Sequence, residues 1–511
     1  MLSATSFPVN TRCGKSTMTP LDQLADSMHQ FADEPAFCIA DKYFSYNELN
    51  NTIGKIQQLI EQSGATNHCN IGILTYDDVE TYASVFAILF LGHAFVPINP
   101  IHPQERNQSI IDQAGIKILV SSKSEESARI YAHGTTNLVI TSIESPGREF
   151  TRVPLPDSQY AYILFTSGST GVPKGVPLTV NNLNSFLDAF FSLGYNVDHR
   201  DRFIQMFDMT FDLSIMSYMA PLCIGACVYT VPFDAIKYMQ VYNLMEQYEI
   251  TFALLVPSIL TNLRQYFPEI DLPKMKYSLF CGEALFEDVT MGWAKCLPNA
   301  VIQNVYGPTE ATIFCMNYDV NRYGNNKSLN GILCIGKPMK NIGVYIADET
   351  FNPLPPNETG ELCLSGEQIT PGYWKNEPKN KEAFFNHKGT RYYRSGDLCF
   401  CDDEGDYFYS GRIDFQVKIN GFRVELSEIE HHAREFLNNH AVVAHAVLND
   451  AGLSQIYMFV ENFKSGFDDL NSHLKLKLPS YMVPVKYISI EMFPLNSHGK
   501  TDRKALVKMI S

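Results

Sequence analysis

The sequence predicts an α/β protein. It has a large N-terminal domain of layered parallel sheets with a barrel-like subdomain, then a small α+β C-terminal domain. Three observations predict this. From about Pro20 onward, short apolar runs of strand length alternate with longer helical patterns, the rhythm of parallel sheets covered by helices. After about residue 330 that rhythm gives way to short strands separated by Gly, Pro and Asn turns. From Ile413 a terminal stretch of about 100 residues resumes strand and helix alternation on a smaller scale.

In chain order, residues 1–19 read as a polar N-terminal extension. Asn70–Leu74 is a strand, Val79–Leu91 an apolar helix, and Ala94–Ile98 a second strand. A helix starting near Gln104 leads to the strand Ile118–Ser121, and the same rhythm returns at Thr251–Val256, Tyr277–Cys281 and Val301–Asn304. Gly343–Ala347, Glu361–Ser365 and Asp406–Ser410 are the short strands of the barrel-like part, about 330–411. The terminal unit opens with a strand Phe415–Ile419, the turn Asn420-Gly421 and a helix Leu426–Phe436. The chain therefore divides into 20–411 and 412–511.

With 511 residues and 45% hydrophobic content the chain is long enough for two or more cored domains. A formal net charge of -15 argues against nucleic-acid binding by general electrostatics, so any anionic ligand needs local devices. Twelve cysteines are scattered without four-ligand zinc spacing, and His473, His498 and the pair His431/His432 carry no metal spacing either. They read as packing or surface residues. Neither a signal peptide nor an apolar run long enough to span a membrane is evident, which predicts a cytoplasmic protein without an integral membrane segment.

Residues Leu164–Gly175 pack four hydroxyls, three glycines and Lys174 into a dozen positions after an apolar run. The order differs from a Walker A loop, where Ser or Thr follows Gly-Lys. The physics is shared: glycines let successive amides face one cavity, and the hydroxyls of Thr166, Ser167, Ser169 and Thr170 add donors beside Gly168 and Gly171. That composition suits a polyphosphate. Tyr306-Gly307-Pro308-Thr309-Glu310 follows a predicted strand, where ligands of α/β folds bind. Tyr306 can stack on a purine, Thr309 can bind a phosphate oxygen and Glu310 can hold Mg²⁺. Asp397 could accept bonds from ribose hydroxyls, and Arg412 could support the ribose or the α-phosphate. Lys500 sits in a Pro- and Gly-shaped loop instead of a plain polar tail. The Met and Phe stripe from Met206 to Met219 fits plain core and also a pocket wall.

Taken together, the loop 164–175, Phe211-Asp212-Leu213-Ser214, Tyr306–Glu310, Tyr393–Asp397 with Gly411–Asp414, and Asn496–Lys500 resemble the adenylate-forming enzymes. This superfamily includes acyl-CoA synthetases, luciferases and nonribosomal peptide synthetase adenylation domains. The resemblance covers roughly residues 20–510. Phe211–Met216, Phe280–Glu283 and Gly411–Lys418 are close to the pattern of D-alanine–carrier protein ligases. It implies two half-reactions: a carboxylate attacks the α-phosphate of Mg·ATP, and a phosphopantetheine thiol then attacks the acyl-adenylate. It also implies a mobile small domain that turns about Asp414, Lys500 at the carboxylate and α-phosphate with Thr309 and Glu310 as its catalytic companions, and Gly421 at a pantetheine tunnel. Gly282, Glu283, Ala284, Asn304 and Gly307 join the ATP site on the same basis.

The resemblance pairs Asp212 with a substrate α-ammonium, since a buried carboxylate needs a charged partner. The rest of the pocket carried over is Leu213, Met216, Leu254, Leu279, Cys281, Val305, Ile313 and Phe314, none suited to a charged side chain. A small apolar amino acid is expected, D-alanine first. The alternatives are L-alanine, proline, valine or a β-amino acid, or an amine-free acid in an acyl- or aryl-CoA ligase. The expected partner is a separate phosphopantetheinylated carrier protein docking a monomer near Lys418, Arg423 or Lys475.

Overall fold

The computed structural model describes residues 18–65, 68–123, 134–140, 148–168, 170–232, 237–437, 440–449, 451–494 and 501–509. Most of the expected N-terminal extension, residues 1–17, lies outside them. Thr19 already belongs to the fold. Its hydroxyl accepts from the Asp22 amide and caps the helix Pro20–Gln30, with Pro20 in the first turn.

The large domain carries two mostly parallel sheets. In the first, six strands run Thr136–Val139, Ile118–Ser121, Asn70–Leu74, Ala94–Ile98, Tyr160–Thr166 and Lys174–Thr179. Only the last pair is antiparallel, with Thr166 opposite Lys174. The second sheet has nine strands, whose centre is the parallel series Pro35–Ile39, Cys227–Thr230, Arg202–Gln205, Phe252–Leu255, Tyr277–Phe280 and Val301–Tyr306. Antiparallel strands close both of its edges. Its central strands Cys227–Thr230 and Phe252–Leu255 are buried along their whole length, as cover on both faces requires. The hairpin strands Pro35–Ile39 and Lys42–Ser45 did not figure among the expected strands. Their residues are few and lack a clean alternation.

Beyond residue 330 the strands Ile342–Ala347, Gly360–Gly366, Phe384–His387, Thr390–Cys401 and Tyr407–Arg412 form one antiparallel five-stranded sheet. The small domain begins with the hairpin Gln416–Ile419 and Phe422–Glu425. Asn420 and Gly421 both take positive φ, as the two central residues of a tight hairpin turn must. Helix Leu426–Phe436 follows, then a three-stranded sheet of Val442–Leu448, Ser454–Glu461 and Lys486–Ile490. The main apolar core runs from Leu21 to Cys399, and a separate core runs from Ile419 to Met482. Two domains therefore bury their apolar surface independently. No described helix is long and apolar enough to cross a membrane.

Candidate functional site

A cavity of about 350 Å³ opens where the parallel strands Phe252–Leu255, Tyr277–Phe280 and Val301–Tyr306 end, and the small domain covers it. Residues just past each strand line it: Pro257 and Ser258, Cys281–Ala284, and Gly307–Thr309. Carboxyl ends of parallel strands place side chains on exposed loops over a rigid sheet, which is why ligands collect there. From the small domain Gln416, Val417, Lys418 and Arg423 complete the wall.

The Gly- and Ser-rich loop joins the antiparallel strands Tyr160–Thr166 and Lys174–Thr179. Gly168 has no room for a side chain, because a Cβ would lie 2.0 Å from the Val172 carbonyl. The Gly168 amide donates to Glu428 Oε2 at 3.0 Å, so this loop already holds a carboxylate. The buried Thr166 hydroxyl has no partner among the described residues, a donor left for a further oxygen. Ser169 lies outside the described residues. Lys174 is buried, with its ammonium 3.9 Å from Glu310 and 3.8 Å from Glu425. Burial and the nearby Arg423 outweigh those carboxylates and bring its pKa down to about 8.

Glu310 lies on a short 3₁₀ turn, Thr309–Ala311, and is fully buried. Arg423 Nη1 donates to Oε2 at 2.9 Å, and the Tyr373 hydroxyl donates to Oε1 at 2.7 Å. Burial works to raise its pKa, but Arg423, Lys174 and Tyr373 prevail and hold it at about 2. The turn is strained: Thr312 and Ile313, both β-branched, have φ of 57° and 75°. Gly307 makes it possible, because a Cβ there would lie 2.4 Å from the Phe314 Cα.

On the opposite wall, Asp397 accepts from the Tyr306 hydroxyl and from Arg412. Arg412 also donates to Asp414 at 2.6 and 2.8 Å. The residue expected at the hinge is thus tied to the residue expected at the nucleotide. Asn304 donates to the Cys334 carbonyl at 2.9 Å, which fixes its amide on the cavity wall.

Asp212 stands at the N-cap of helix Leu213–Leu222 yet makes no capping bond with its side chain. Asp212 is 3% exposed and lines the cavity beside Thr309. Burial raises its pKa to about 6, against the opposing pull of Thr309 and Lys418. Leu213, Cys281, Val305 and Ile313 line the cavity with it. Met216, Leu254, Leu279 and Phe314 do not, and are packed behind the wall. Phe314, for one, meets the Phe186 ring edge-on at 5.0 Å.

Gly421 docks the small domain. Its amide donates to Glu283 Oε1 at 2.8 Å, and a Cβ on it would lie 2.4 Å from Val256 Cγ1. Glu283 also accepts from the Ser258 amide, so the residue expected at ATP here clamps the hairpin turn. Phe422 stacks on Phe211 at 5.4 Å and on Tyr481 at 4.0 Å. Lys500 lies outside the described residues. Helix Arg503–Lys508 after it packs through Leu506 on Val443, Phe459 and Phe493, none of which lines the cavity.

Sequence reasoning missed several groups. Lys418 and Arg423, read as surface docking residues, turn into the cavity instead; Lys475 remains exposed. Lys418 feels Cys281, Asp397 and Asp212, and its pKa falls through burial and Arg423. Tyr373, Glu425 and Glu428 also carried no local signal, because each meets its partner across a long stretch of chain. His431 packs on Gly171, and its ligand atom lies within 4.8 Å of those of His432 and Glu435, a grouping the sequence did not reveal.

The profile of the family described as AMP-binding enzyme matches residues 24–374. Zwittermicin A synthase ZmaJ of Bacillus cereus is 30% identical over 489 residues, covering 93% of this chain and 92% of that protein. Bacitracin synthase 2 of Bacillus licheniformis is also 30% identical, over 488 residues and 93% of this chain, but the chain spans only 18% of its length. Among solved structures, the Vibrio cholerae adenylation domain AlmE in complex with glycyl-adenosine-5'-phosphate superposes with a TM-score of 0.86. It is 25% identical, with 99% of each chain covered.

Proposed function

From the premise that this chain belongs to the AMP-binding enzymes, ATP-dependent ligases that form AMP, we propose that it activates a small amino acid and passes it to a carrier-protein thiol. The observation that carries the substrate class is Asp212. It is a buried carboxylate that caps no helix, faces the cavity and has no salt-bridge partner among the described residues. A substrate ammonium supplies the missing charge. The short apolar wall of Leu213, Cys281, Val305 and Ile313 favours a small side chain, with D-alanine the first candidate. AlmE, bound to glycyl-adenylate, supports the small size.

In this reading Thr166, Ser167, Gly168, Ser169, Thr170, Gly171 and Lys174 receive the ATP phosphates. Tyr306, Asp397 and Arg412 bracket the nucleoside. Glu310, with Thr309, is suited to Mg²⁺: its carboxylate is ionised and already takes cationic partners. Mg²⁺ would neutralise phosphate charge there. Lys500 stabilises the charge that develops at the α-phosphate in the first half-reaction. The orientation seen here, with Gly421 against Glu283 and Val256, belongs to the second half-reaction, when a pantetheine thiol reaches the acyl group. Asp414 is the hinge between the two, and closure keeps water from the reactive anhydride.

ATP–pyrophosphate exchange with both alanine enantiomers, glycine, proline, valine, serine, β-alanine and several amine-free acids tests this reading. Exchange with a small amino acid supports it. Exchange confined to amine-free acids overturns the role of Asp212 and points to a CoA ligase.

A further inference from the structure

We propose that His431, His432 and Glu435, on the helix Leu426–Phe436, form a binding site for a divalent transition-metal ion, zinc above all, at the seam between the small domain and the large one. An ion bound there favours the docked orientation. The site stands on its own geometry, and its effect on orientation rests on the two-orientation reading above.

Helix geometry brings the three side chains together. Successive helical residues diverge by about 100°, so His431 and His432 point apart and Glu435, one turn further on, falls between them. Glu435 Oε1 lies 3.5 Å from His431 Nε2, and its Oε2 lies 3.3 Å from His432 Nδ1. Two ligands on a tetrahedral zinc, each bonded at about 2.0–2.1 Å, sit about 3.4 Å apart. The separations on both sides of the carboxylate match that spacing. All three ligand atoms fall within 4.8 Å of one another, a ring rotation away from a closed set. The spacing of the histidines alone hides this, because the third ligand is a glutamate.

The donor set suits zinc and not magnesium, since imidazole selects zinc, copper or nickel while magnesium keeps to oxygen. Glu435 has no Lys or Arg partner among the described residues; Arg434 beside it goes to Glu430 at 2.9 Å. The His431 and Glu435 side chains are 44% and 56% exposed, so an ion can enter and keep water as its fourth ligand. The seam is close on two sides. The His431 ring packs on Gly171, where a Cβ would lie 2.4 Å from its Cδ2. Glu105, on the large-domain helix Gln104–Ala114, feels the charge of His432 as well as that of its partner Lys477. A doubly charged ion beside His432 is drawn to that carboxylate only while the domains are docked. Lys477 offsets part of the attraction, so the ion shifts the orientation by about two- to fivefold, the scale of an exposed charge pair.

The test is titration of zinc chloride and, separately, cobalt(II) chloride into the metal-free full-length protein and its His432→Ala and Glu435→Gln variants. One ion per chain is expected, with a cobalt spectrum of nitrogen and oxygen ligands. Each variant should bind at least about tenfold more weakly, since even a change outside the ligand set costs that much. Unchanged affinity in both correctly folded variants overturns the site. A cobalt spectrum with thiolate charge transfer also overturns it, because the ion then sits on cysteine. Fluorescence transfer between dyes at the exposed positions Tyr323 and Met492 reports the domain orientation. Zinc should raise the docked fraction in the wild type and not in Glu105→Gln. A distance that answers to ATP but not to zinc overturns the effect on orientation. One that answers to neither overturns the two-orientation reading beneath it.

Discussion

Arg423 of the small domain donates to Glu310 of the large domain at 2.9 Å, although 113 positions separate them in the chain. Glu310 is fully buried and Arg423 largely so, and Lys174 shares the carboxylate. Replacing Glu310 with Gln strands two cations without a counter-charge. That costs roughly 3–5 kcal/mol, the usual penalty for breaking a buried pair. Denaturant unfolding of the ligand-free protein checks this. A loss below about 1 kcal/mol would mean that the two domains separate freely and water solvates the cations.

Asp212 makes the opposite prediction for stability. Its folded pKa of about 6 lies above the ordinary 3.8. The folded state therefore takes up a proton between those values, and stability falls as pH rises through that window. At neutral pH the ionised group costs the ligand-free protein on the order of 3 kcal/mol. Asp212→Asn should then raise the melting temperature while removing amino-acid-dependent exchange by roughly a hundredfold or more, through the lost ion pair with substrate. Thermal melts at pH 7 and at pH 4 provide the check, because the gain should vanish at the lower pH.

Amino-acid affinity should follow the same group in the other direction. Binding of an ammonium needs the carboxylate, so the apparent KM rises about tenfold per pH unit below about 6. In Asp212→Asn the residual activity should lose that dependence.

Lys174 titrates from the other side of neutrality. With a pKa of about 8 in the ligand-free protein, it loses its charge as pH rises through that value. ATP affinity should be flat near pH 7 and fall above pH 8. Lys174→Arg should keep a flat profile, because the guanidinium stays charged. Titration with a fluorescent ATP analogue between pH 6.5 and about 9.5 measures it.

Gly421→Ala separates the two half-reactions. The new methyl group meets Val256, and the φ of 84° is costly for alanine. A penalty of about 1–3 kcal/mol falls on the docked orientation alone. Transfer to carrier or a pantetheine thiol should slow by ten- to a hundredfold, with pyrophosphate exchange within about twofold of wild type. Equal loss of both activities would show that Gly421 serves the fold and not the docking.

Much of the fold was legible locally. Asn70–Leu74, Ala94–Ile98 and Ile118–Ser121 are strands at the expected bounds, since each is an apolar run between clear turn signals. Candidate residues were legible wherever several polar groups crowd a short loop, as in Thr166–Gly175. Lys418, Tyr373 and Glu428 were not, because a lone Lys, Tyr or Glu in a strand or helix gives no sign of what lies opposite.

The sequence by itself determined the fold class, the loops rich in donors and glycine, and the carboxylates placed just after strands. Local spacing and backbone chemistry act over a few residues, so a one-dimensional pattern records them. Only the tertiary structure decided which charges meet: Glu310 with Arg423, Gly168 with Glu428, Glu283 with Gly421, and Asp397 with both Tyr306 and Arg412. Three of those four relationships cross the boundary between two separately cored domains. Their existence depends on how the small domain is turned, and Coulomb energy between buried groups depends on distance in space and not along the chain.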